Sequence, residues 1–398
     1  MVIVTDTVYV SRTVQAQVEQ LMQWYPVVSV TGPRQSGKST MLRRLFPDYD
    51  YINLERLQNR QAALLDPAGF IEDRPNHLII DEAQYVPDLF SSIQAVVDEQ
   101  KIKGEYILSG SQNFLLSKNI QQSLAGRVGI VKMPPLTFSE IVAGTSVIDD
   151  LDAVDEFTFR GGYPELVVNS IPSRIYFQNY VDTYIARDVT QFLDVRNRDD
   201  FIRFLRLCAE NAGQTINYAA MSSVLGVDYR TVKAWISILE SSYITFHLQP
   251  YHSNGTKRLV KTPKLYFYDT GLLCYLLNID SSRSMLLDQH FGAIFENMVI
   301  AEQLKTHLDR GWEPRLFFYR DQQQREIDLL DFTMPDQHQI VEIKSGRTYH
   351  ERFSRHLRSV GNELGIPAFH RHVVCRTEMS FRDGDIAIDP VNKWLIDQ

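Results

Sequence analysis

Eight consecutive residues, Gly32-Pro33-Arg34-Gln35-Ser36-Gly37-Lys38-Ser39, set two glycines five apart and follow them with a lysine and a hydroxyl. That combination makes a cradle for a polyphosphate. Glycine lets backbone N–H groups come close to phosphate oxygens without a Cβ in the way. The ammonium and the hydroxyl then meet the phosphates and their counter-cation. In this reading Gly32, Pro33, Arg34, Gln35, Ser36, Gly37, Lys38, Ser39 and Thr40 contact a nucleotide. Lys38 reaches the β- and γ-phosphates, and Ser39 ligates Mg2+. Forty-three residues beyond Lys38, the apolar run Leu78-Ile79-Ile80 ends in Asp81-Glu82. A buried strand carries such carboxylates to its C-terminal edge, beside the phosphates. Asp81 is expected to hold Mg2+ through water, and Glu82 to polarise the attacking water. ATP and Mg2+ are the cofactors this predicts, and hydrolysis to ADP and phosphate is the reaction.

Three further groups of residues carry chemistry. The run Ser109-Gly110-Ser111 ends another apolar segment, so Ser111, or Ser109 in its place, can contact the γ-phosphate. Arg127 is a candidate finger for transition-state charge supplied to a neighbouring subunit, and Arg187 is its rival. Near the C-terminus, Asp328 is followed by Glu342-Ile343-Lys344. Residues two apart on a strand share a face, so Glu342 and Lys344 project together. With Asp328 and an upstream Glu296 they form a second candidate metal site, similar to the PD-(D/E)XK nuclease signature. Glu326 shares the strand face of Asp328. The same set also serves domains that only bind nucleic acid.

These residues require elements to hold them. A short strand, Val27 to Thr31, must precede the glycine loop, and a helix from Thr40 to Phe46 must follow it. Further strands are expected at 50–55, 77–82, 105–111 and 128–133, with helices between them, which implies a parallel sheet covered on both faces. Residues 137–210 read as mostly helical, broken at Gly161-Gly162-Tyr163-Pro164. Residues 215–239 read as helix, glycine turn, helix, the helix-turn-helix outline. Tyr229, Arg230 and Lys233 would sit early on the second helix, where side chains meet DNA. Strands at 243–251 and 264–268 would pair as a wing, with Lys257, Arg258 and Lys261 between them. Residues 201–265 hold eight Lys/Arg against three Asp/Glu, a local net of +5 in a chain of net -8. A locally basic module favours phosphate contacts. A helix-turn-helix used between proteins is the competing reading.

The 398 residues, 44% hydrophobic and 23% charged, suit a globular protein of two or three domains. Three scattered cysteines, Cys208, Cys274 and Cys375, form neither a zinc spacing nor a disulfide framework, so a reducing cytoplasm is expected. The N-terminus lacks a secretory signal pattern, and no apolar run approaches the ~20 residues of a membrane helix.

The segments Pro33 to Ser39, Ile80-Asp81-Glu82-Ala83-Gln84, Ser109-Gly110-Ser111, Ser123-Leu124-Ala125-Gly126-Arg127, Gly161-Gly162-Tyr163-Pro164-Glu165 and Arg187-Asp188-Val189 together resemble a prokaryotic AAA+ family. It is the AAA-type ATPase family with a C-terminal domain of unknown function, DUF4143. The resemblance spans nearly the whole chain. It implies an α/β fold with a P-loop AAA+ parallel-sheet core at 1–136 and a helical lid at 137–200. A winged-helix module would follow at 201–285, and a restriction-endonuclease-like α/β domain at 286–398. It also implies a homo-oligomeric ring, a hexamer among the possible forms, in which an arginine reaches the neighbour's nucleotide. DNA, duplex or branched as at a junction, is the expected partner of an ATP-driven motor. An ATP-gated metal-dependent nuclease and a nucleotide switch that binds another protein are the alternatives.

Overall fold

The computed structural model describes residues 9–74, 77–111, 123–169, 171–185, 198–251 and 262–397. Lys257, Arg258, Lys261 and Arg187 lie outside the described residues.

Five parallel strands form the N-terminal sheet: β1 (Val27–Thr31), β2 (Asp50–Asn53), β3 (Leu78–Asp81), β4 (Tyr106–Gly110) and β5 (Val128–Lys132). Their order is β2-β3-β4-β1-β5, so β4 lies between the loop-bearing strand and the strand that ends in Asp81. Every residue of β1, β3 and β4 is buried, as a sheet covered on both faces requires. Alternate residues feed two cores. Leu78, Ile80, Tyr106 and Leu108 pack with Phe90 and Ile93 of helix Asp88–Gln100 on one side. Val28, Val30, Ile79 and Ile107 pack with Val14, which caps helix Gln15–Trp24, with Val18 of that helix and with Met41 and Leu42 of helix Lys38–Leu45 on the other.

Helices Phe138–Gly144, Leu151–Arg160, Pro164–Val168 and Ser173–Tyr180 follow. The break between the second and third is a docking turn. Gly161 has φ +78, and a Cβ there would fall 2.2 Å from the Asp269 carboxylate. Asp269 in turn accepts from the Gly162 N–H at 2.8 Å and caps helix Thr270–Leu276 through the Leu272 N–H at 3.0 Å. The Gly161-Gly162 pair is thus set by close backbone approach.

Helices Tyr218–Leu225 and Tyr229–Ser241 meet at Gly226, whose φ of 68 ends the first of them. Asp228 caps the second by accepting from the Arg230 N–H at 2.8 Å. Val232, Trp235, Ile236 and Leu239 face inward, while Tyr229, Arg230 and Lys233 are exposed. Strands β6 (Thr245–Pro250) and β7 (Lys264–Phe267) pair antiparallel, as expected for the wing. They do not stand alone, however. β6 continues onto β8 (Leu316–Arg320), with Gln249 opposite Phe317 and Pro250 opposite Phe318. With β9 (Glu326–Asp331), β10 (Gln339–Lys344), β11 (Arg371–Cys375), β12 (Phe381–Asp383) and β13 (Ile386–Pro390) they make one eight-stranded sheet, ordered β12-β13-β11-β10-β9-β8-β6-β7. The wing and the C-terminal α/β region therefore share a single sheet. Nothing in the alternation of residues 243–268 marks which outer strand they extend.

Candidate functional site

At the C-terminal edge of β1 the chain turns through Gly32, where a Cβ would lie 2.0 Å from the Met133 carbonyl oxygen. Gln35 takes φ 63, and Gly37, with φ 91, opens helix Lys38–Leu45. A helix N-terminus following a glycine loop can receive an anion. Lys38 is buried and donates to the carbonyls of Gly32 at 2.9 Å and Pro33 at 2.7 Å. Burial pulls its ammonium down to about 8, against the opposing pull of Glu82 and Asp81. Ser36 Oγ is buried with no hydrogen-bond partner among the described residues. Arg34 pairs with Glu55 at 3.1 Å, and Gln35 donates to the Tyr184 hydroxyl at 3.1 Å. Pro33 is buried and Thr40 is exposed on the first helical turn.

Strand β3 delivers Asp81 to the same edge. Ser39 Oγ donates to Asp81 Oδ2 at 2.8 Å, and the Tyr51 hydroxyl donates to the same oxygen at 2.5 Å. Ser109, opposite Asp81 in the register, donates to Oδ1. Burial and the bond to Asp81 push the Tyr51 phenol up to about 12. Glu82 sits at φ 55 and accepts from Ser111 Oγ at 3.1 Å and from Gln84. The two serines therefore divide: Ser109 faces Asp81 and Ser111 faces Glu82. Tyr51 was missed at the sequence level, because its position becomes meaningful only once β2 pairs with β3. The oxygen-only set of Ser39 and Asp81 fits a hard divalent cation. The orphaned Ser36 hydroxyl and the Lys38 ammonium, held only by carbonyls, fit a polyphosphate.

Arg127 lies at the opposite end of the sheet, since its carbonyl accepts from the Val27 N–H at the start of β1. Its guanidinium grips Asp98 at 2.5 and 2.9 Å on the surface.

Beneath the loop is a network that sequence reasoning missed. Buried Arg12 donates to the Ser36 carbonyl at 3.0 Å, to the Pro134 carbonyl at 2.7 Å and to Glu140 at 3.1 Å. Thr31, the last residue of β1, shares a 2.7 Å hydrogen bond with the hydroxyl of Tyr243, which follows the second helix of the helical pair. Only folding brings these distant positions together.

The C-terminal set also converges. Lys344 Nζ lies 2.7 Å from Glu342 and 3.4 Å from Asp328, which accepts from the Ile343 N–H at 2.8 Å. Glu296 accepts from the Tyr266 hydroxyl at 2.5 Å and from Lys264 at 3.3 Å, and Lys264 also meets Glu326 at 2.7 Å. Burial, then Asp328, pushes Glu342 up to about 8, and the same two causes raise Glu296. Lys264 and Tyr266, supplied by β7, are part of this cluster although the sequence marked them only as wing residues. Among the described residues no group of three or more His, Cys, Asp or Glu side chains is arranged to hold a metal ion. The acids of this cluster are instead balanced by the two lysines.

A parallel sheet with a glycine loop between β1 and a helix, and an acidic pair ending β3, defines a P-loop ATPase fold of the AAA class. Family models agree: an AAA domain matches residues 25–142, a domain of unknown function (DUF8612) residues 151–283, and a domain of unknown function (DUF4143) residues 291–394. An uncharacterized protein of Mycobacterium tuberculosis is 31% identical over 329 residues, 80% of this chain and 70% of the relative. An uncharacterized protein of Methanocaldococcus jannaschii is 27% identical over 335 residues, 76% of this chain and 71% of the relative. The chain belongs to this family of AAA-domain proteins with a C-terminal DUF4143 domain. Among solved structures it is similar to a Walker-type ATPase of Pyrococcus abyssi (TM-score 0.44, 14% identity, 66% of this chain and 94% of that one). It is also similar to the Thermotoga maritima RuvB Holliday junction branch migration motor (TM-score 0.29, 16% identity, 58% of this chain and 88% of that one). No helix among the described residues is long and apolar enough to cross a membrane.

Proposed function

We infer that this protein hydrolyses ATP and uses the cycle, as an oligomer, to act on DNA. The observation that carries the hydrolysis is the meeting of Ser39, Asp81, Glu82 and Ser111 on one sheet edge beside the loop. Lys38 exchanges its carbonyl partners for the β- and γ-phosphate oxygens. Ser39 and Asp81 would hold a divalent cation, which would supply charge neutralisation. Glu82 orients and polarises the water that attacks the γ-phosphorus, and Ser111 keeps that carboxylate in place. Arg127, at the far end of the sheet from its own loop, would serve a neighbouring subunit's site rather than its own.

DNA engagement is supported by the exposed Tyr229, Arg230 and Lys233 at the start of the second helix. Phosphate release measured with and without duplex, single-stranded and four-way junction DNA tests the reading. Stimulation by DNA is expected, and it should be lost in the Arg230→Glu, Lys233→Glu double variant. Equal rates under all conditions would remove DNA from the proposal. Hydrolysis surviving in Lys38→Ala would remove the ATP site. A second reading, an ATP-gated nuclease, takes the convergence of Asp328, Glu342, Lys344 and Glu296 as its site, and a cation would have to displace Lys264 and Lys344 from these acids. It requires DNA cleavage with Mg2+ or Mn2+ that disappears in Asp328→Ala.

A further inference from the structure

The chain that leaves β10 carries an unmatched positive charge. Residues 344–358 hold five Lys/Arg and one acid, Glu351, a net of +4. The C-terminal region around them, 286–398, holds 14 Lys/Arg against 18 Asp/Glu, a net of -4. Other arginines of that region are neutralised by acids. Arg320 meets Glu326, Arg325 meets Asp321, Arg358 and Arg371 meet Asp385, and Arg376 meets the buried Asp155. Arg347, Arg352 and Arg355 are exposed and form no salt bridge among the described residues. Arg347 acts on Asp155 only through space, and Arg352 lies over the Phe353 ring at 5.5 Å.

The fold gathers these charges beside the wing. The Gly346 carbonyl accepts from the Arg376 N–H at 3.1 Å, which anchors the loop after β10. Leu357 and Val360 bury one side of helix Arg355–Leu364, and His356 Nδ1 lies 3.3 Å from the Glu326 carbonyl oxygen. The helix thus begins beside the start of β9, where Glu326 meets Lys264 of the wing. The loop departs from Lys344, whose side chain is 31% exposed. Arg352 and Arg355 stand three apart where the 3-10 turn Glu351–Ser354 enters the helix, a spacing that puts both on one face. Acids at this edge are already held: Glu326 by Lys264, Glu342 by Lys344 and Asp383 by Arg358. Glu351 is the exposed acid that remains within the segment. Its large apolar side chains, Tyr349, Phe353 and Leu357, are half-buried or buried. A membrane-binding face would present apolar side chains. A polar, positive face with guanidinium forks suits the phosphates of a nucleic acid. The wing strands belong to the same sheet as β9 and β10, so the helical pair and this surface share one support.

We propose that Arg347, Arg352 and Arg355 form a second DNA contact, which grips the phosphate backbone without reading sequence. The inference rests on the proposed action on DNA and adds to the contact at Arg230 and Lys233. Fluorescence anisotropy of labelled duplexes, with the full chain in EDTA to prevent cleavage, is measured across a salt series. The Arg347→Glu, Arg352→Glu, Arg355→Glu triple variant is expected to bind at least tenfold more weakly, by the same factor on unrelated sequences. Its slope of log affinity against log salt should flatten by about 2 to 3, at ~0.9 per phosphate contact. The Arg347→Lys, Arg352→Lys, Arg355→Lys variant keeps the charge and should keep most of the slope. Phosphate release without DNA and the thermal midpoint should match the wild type in both, since none of the three touches the ATP site. Should charge reversal unfold the chain, Arg352→Gln, Arg355→Gln takes its place and must flatten the slope by about 1 to 2. Undiminished affinity and slope in the charge-reversed protein, while the wild type binds DNA, overturn this surface and leave the proposed function standing. A wild type that binds no duplex at low salt removes both. Arginine-dependent binding to phosphatidylserine vesicles, with DNA binding unaffected, assigns the surface to a membrane and overturns the proposal.

Discussion

Lys38 is held by two loop carbonyls and its ammonium is pulled down to about 8 by burial, so in the free protein it is largely neutral by pH 9. Phosphate oxygens favour the charged form. Binding of ATP at pH 9 should therefore take up a proton. Calorimetry in two buffers of different ionisation enthalpy reads this directly, and equal heats in both would contradict it. Glu342 shifts the other way. Its folded value, up to about 8, lies above that of an ordinary glutamate, ~4.3. The stability it contributes is complete below the unfolded value and is lost as pH rises through about 8. Glu342→Gln should thus raise the thermal midpoint at pH 9 in the presence of a chelator and leave it nearly unchanged at pH 5. A variant that lowers the midpoint at pH 9 would mean that Lys344 needs this carboxylate more than burial disfavours it.

At the scale of elements, the contact to follow is Thr31 with Tyr243. It joins the strand that launches the phosphate loop to the end of the helical pair that carries Arg230 and Lys233. Losing the hydroxyl leaves Thr31 with the Val131 carbonyl at 3.3 Å, so the fold should lose only about 1 kcal/mol. If this bond carries the nucleotide state to the helical pair, Tyr243→Phe will keep basal hydrolysis and lose most of its stimulation by DNA. Parallel loss of both rates would assign Tyr243 to the ATP site itself. Likewise, the Gly161-Gly162-Tyr163-Pro164 segment, conspicuous in the sequence, has a structural task. It seats the helical region on Asp269 through a backbone approach that no side chain would permit.

Across the whole molecule, the regions are joined by buried charge. Arg12 links the Ser36 carbonyl to Glu140, while Lys305 of helix Phe291–Asp309 pairs with Glu302 and donates to the Leu136 carbonyl at 2.9 Å. Glu302 also accepts from the Phe138 N–H at 2.7 Å. Displacements at the loop thus have a route of packed polar contacts to the helix that bears Glu296 and His307. Oligomeric action has its own test at this scale. Arg127→Ala and Lys38→Ala should each be inactive alone. Mixing the two should restore part of the hydrolysis, because one interface then combines an intact loop with an intact arginine from its neighbour. Absence of recovery, with both variants assembling normally, would return Arg127 to its surface pair with Asp98.

The glycine loop, its flanking strand and helix, and the acidic end of β3 were legible in the sequence, because backbone geometry ties each to a short local pattern. The helical pair was legible for the same reason, through Asp228 and Gly226. The partners of these residues were not. Tyr51 meets Asp81 only across a strand pairing, Tyr243 meets Thr31 across 212 positions, and Lys264 enters the Glu296 cluster because β6 docks on β8. The antiparallel pairing of β6 with β7 was legible, but its fusion to the C-terminal sheet was invisible, since the pairing of an edge strand depends on what packs beside it. By itself, the sequence determined where phosphate and carboxylate chemistry can occur, through spacings that local geometry enforces. Only the tertiary structure decided which buried groups share a low-dielectric space, and so which protons move and which polar atoms still lack a partner.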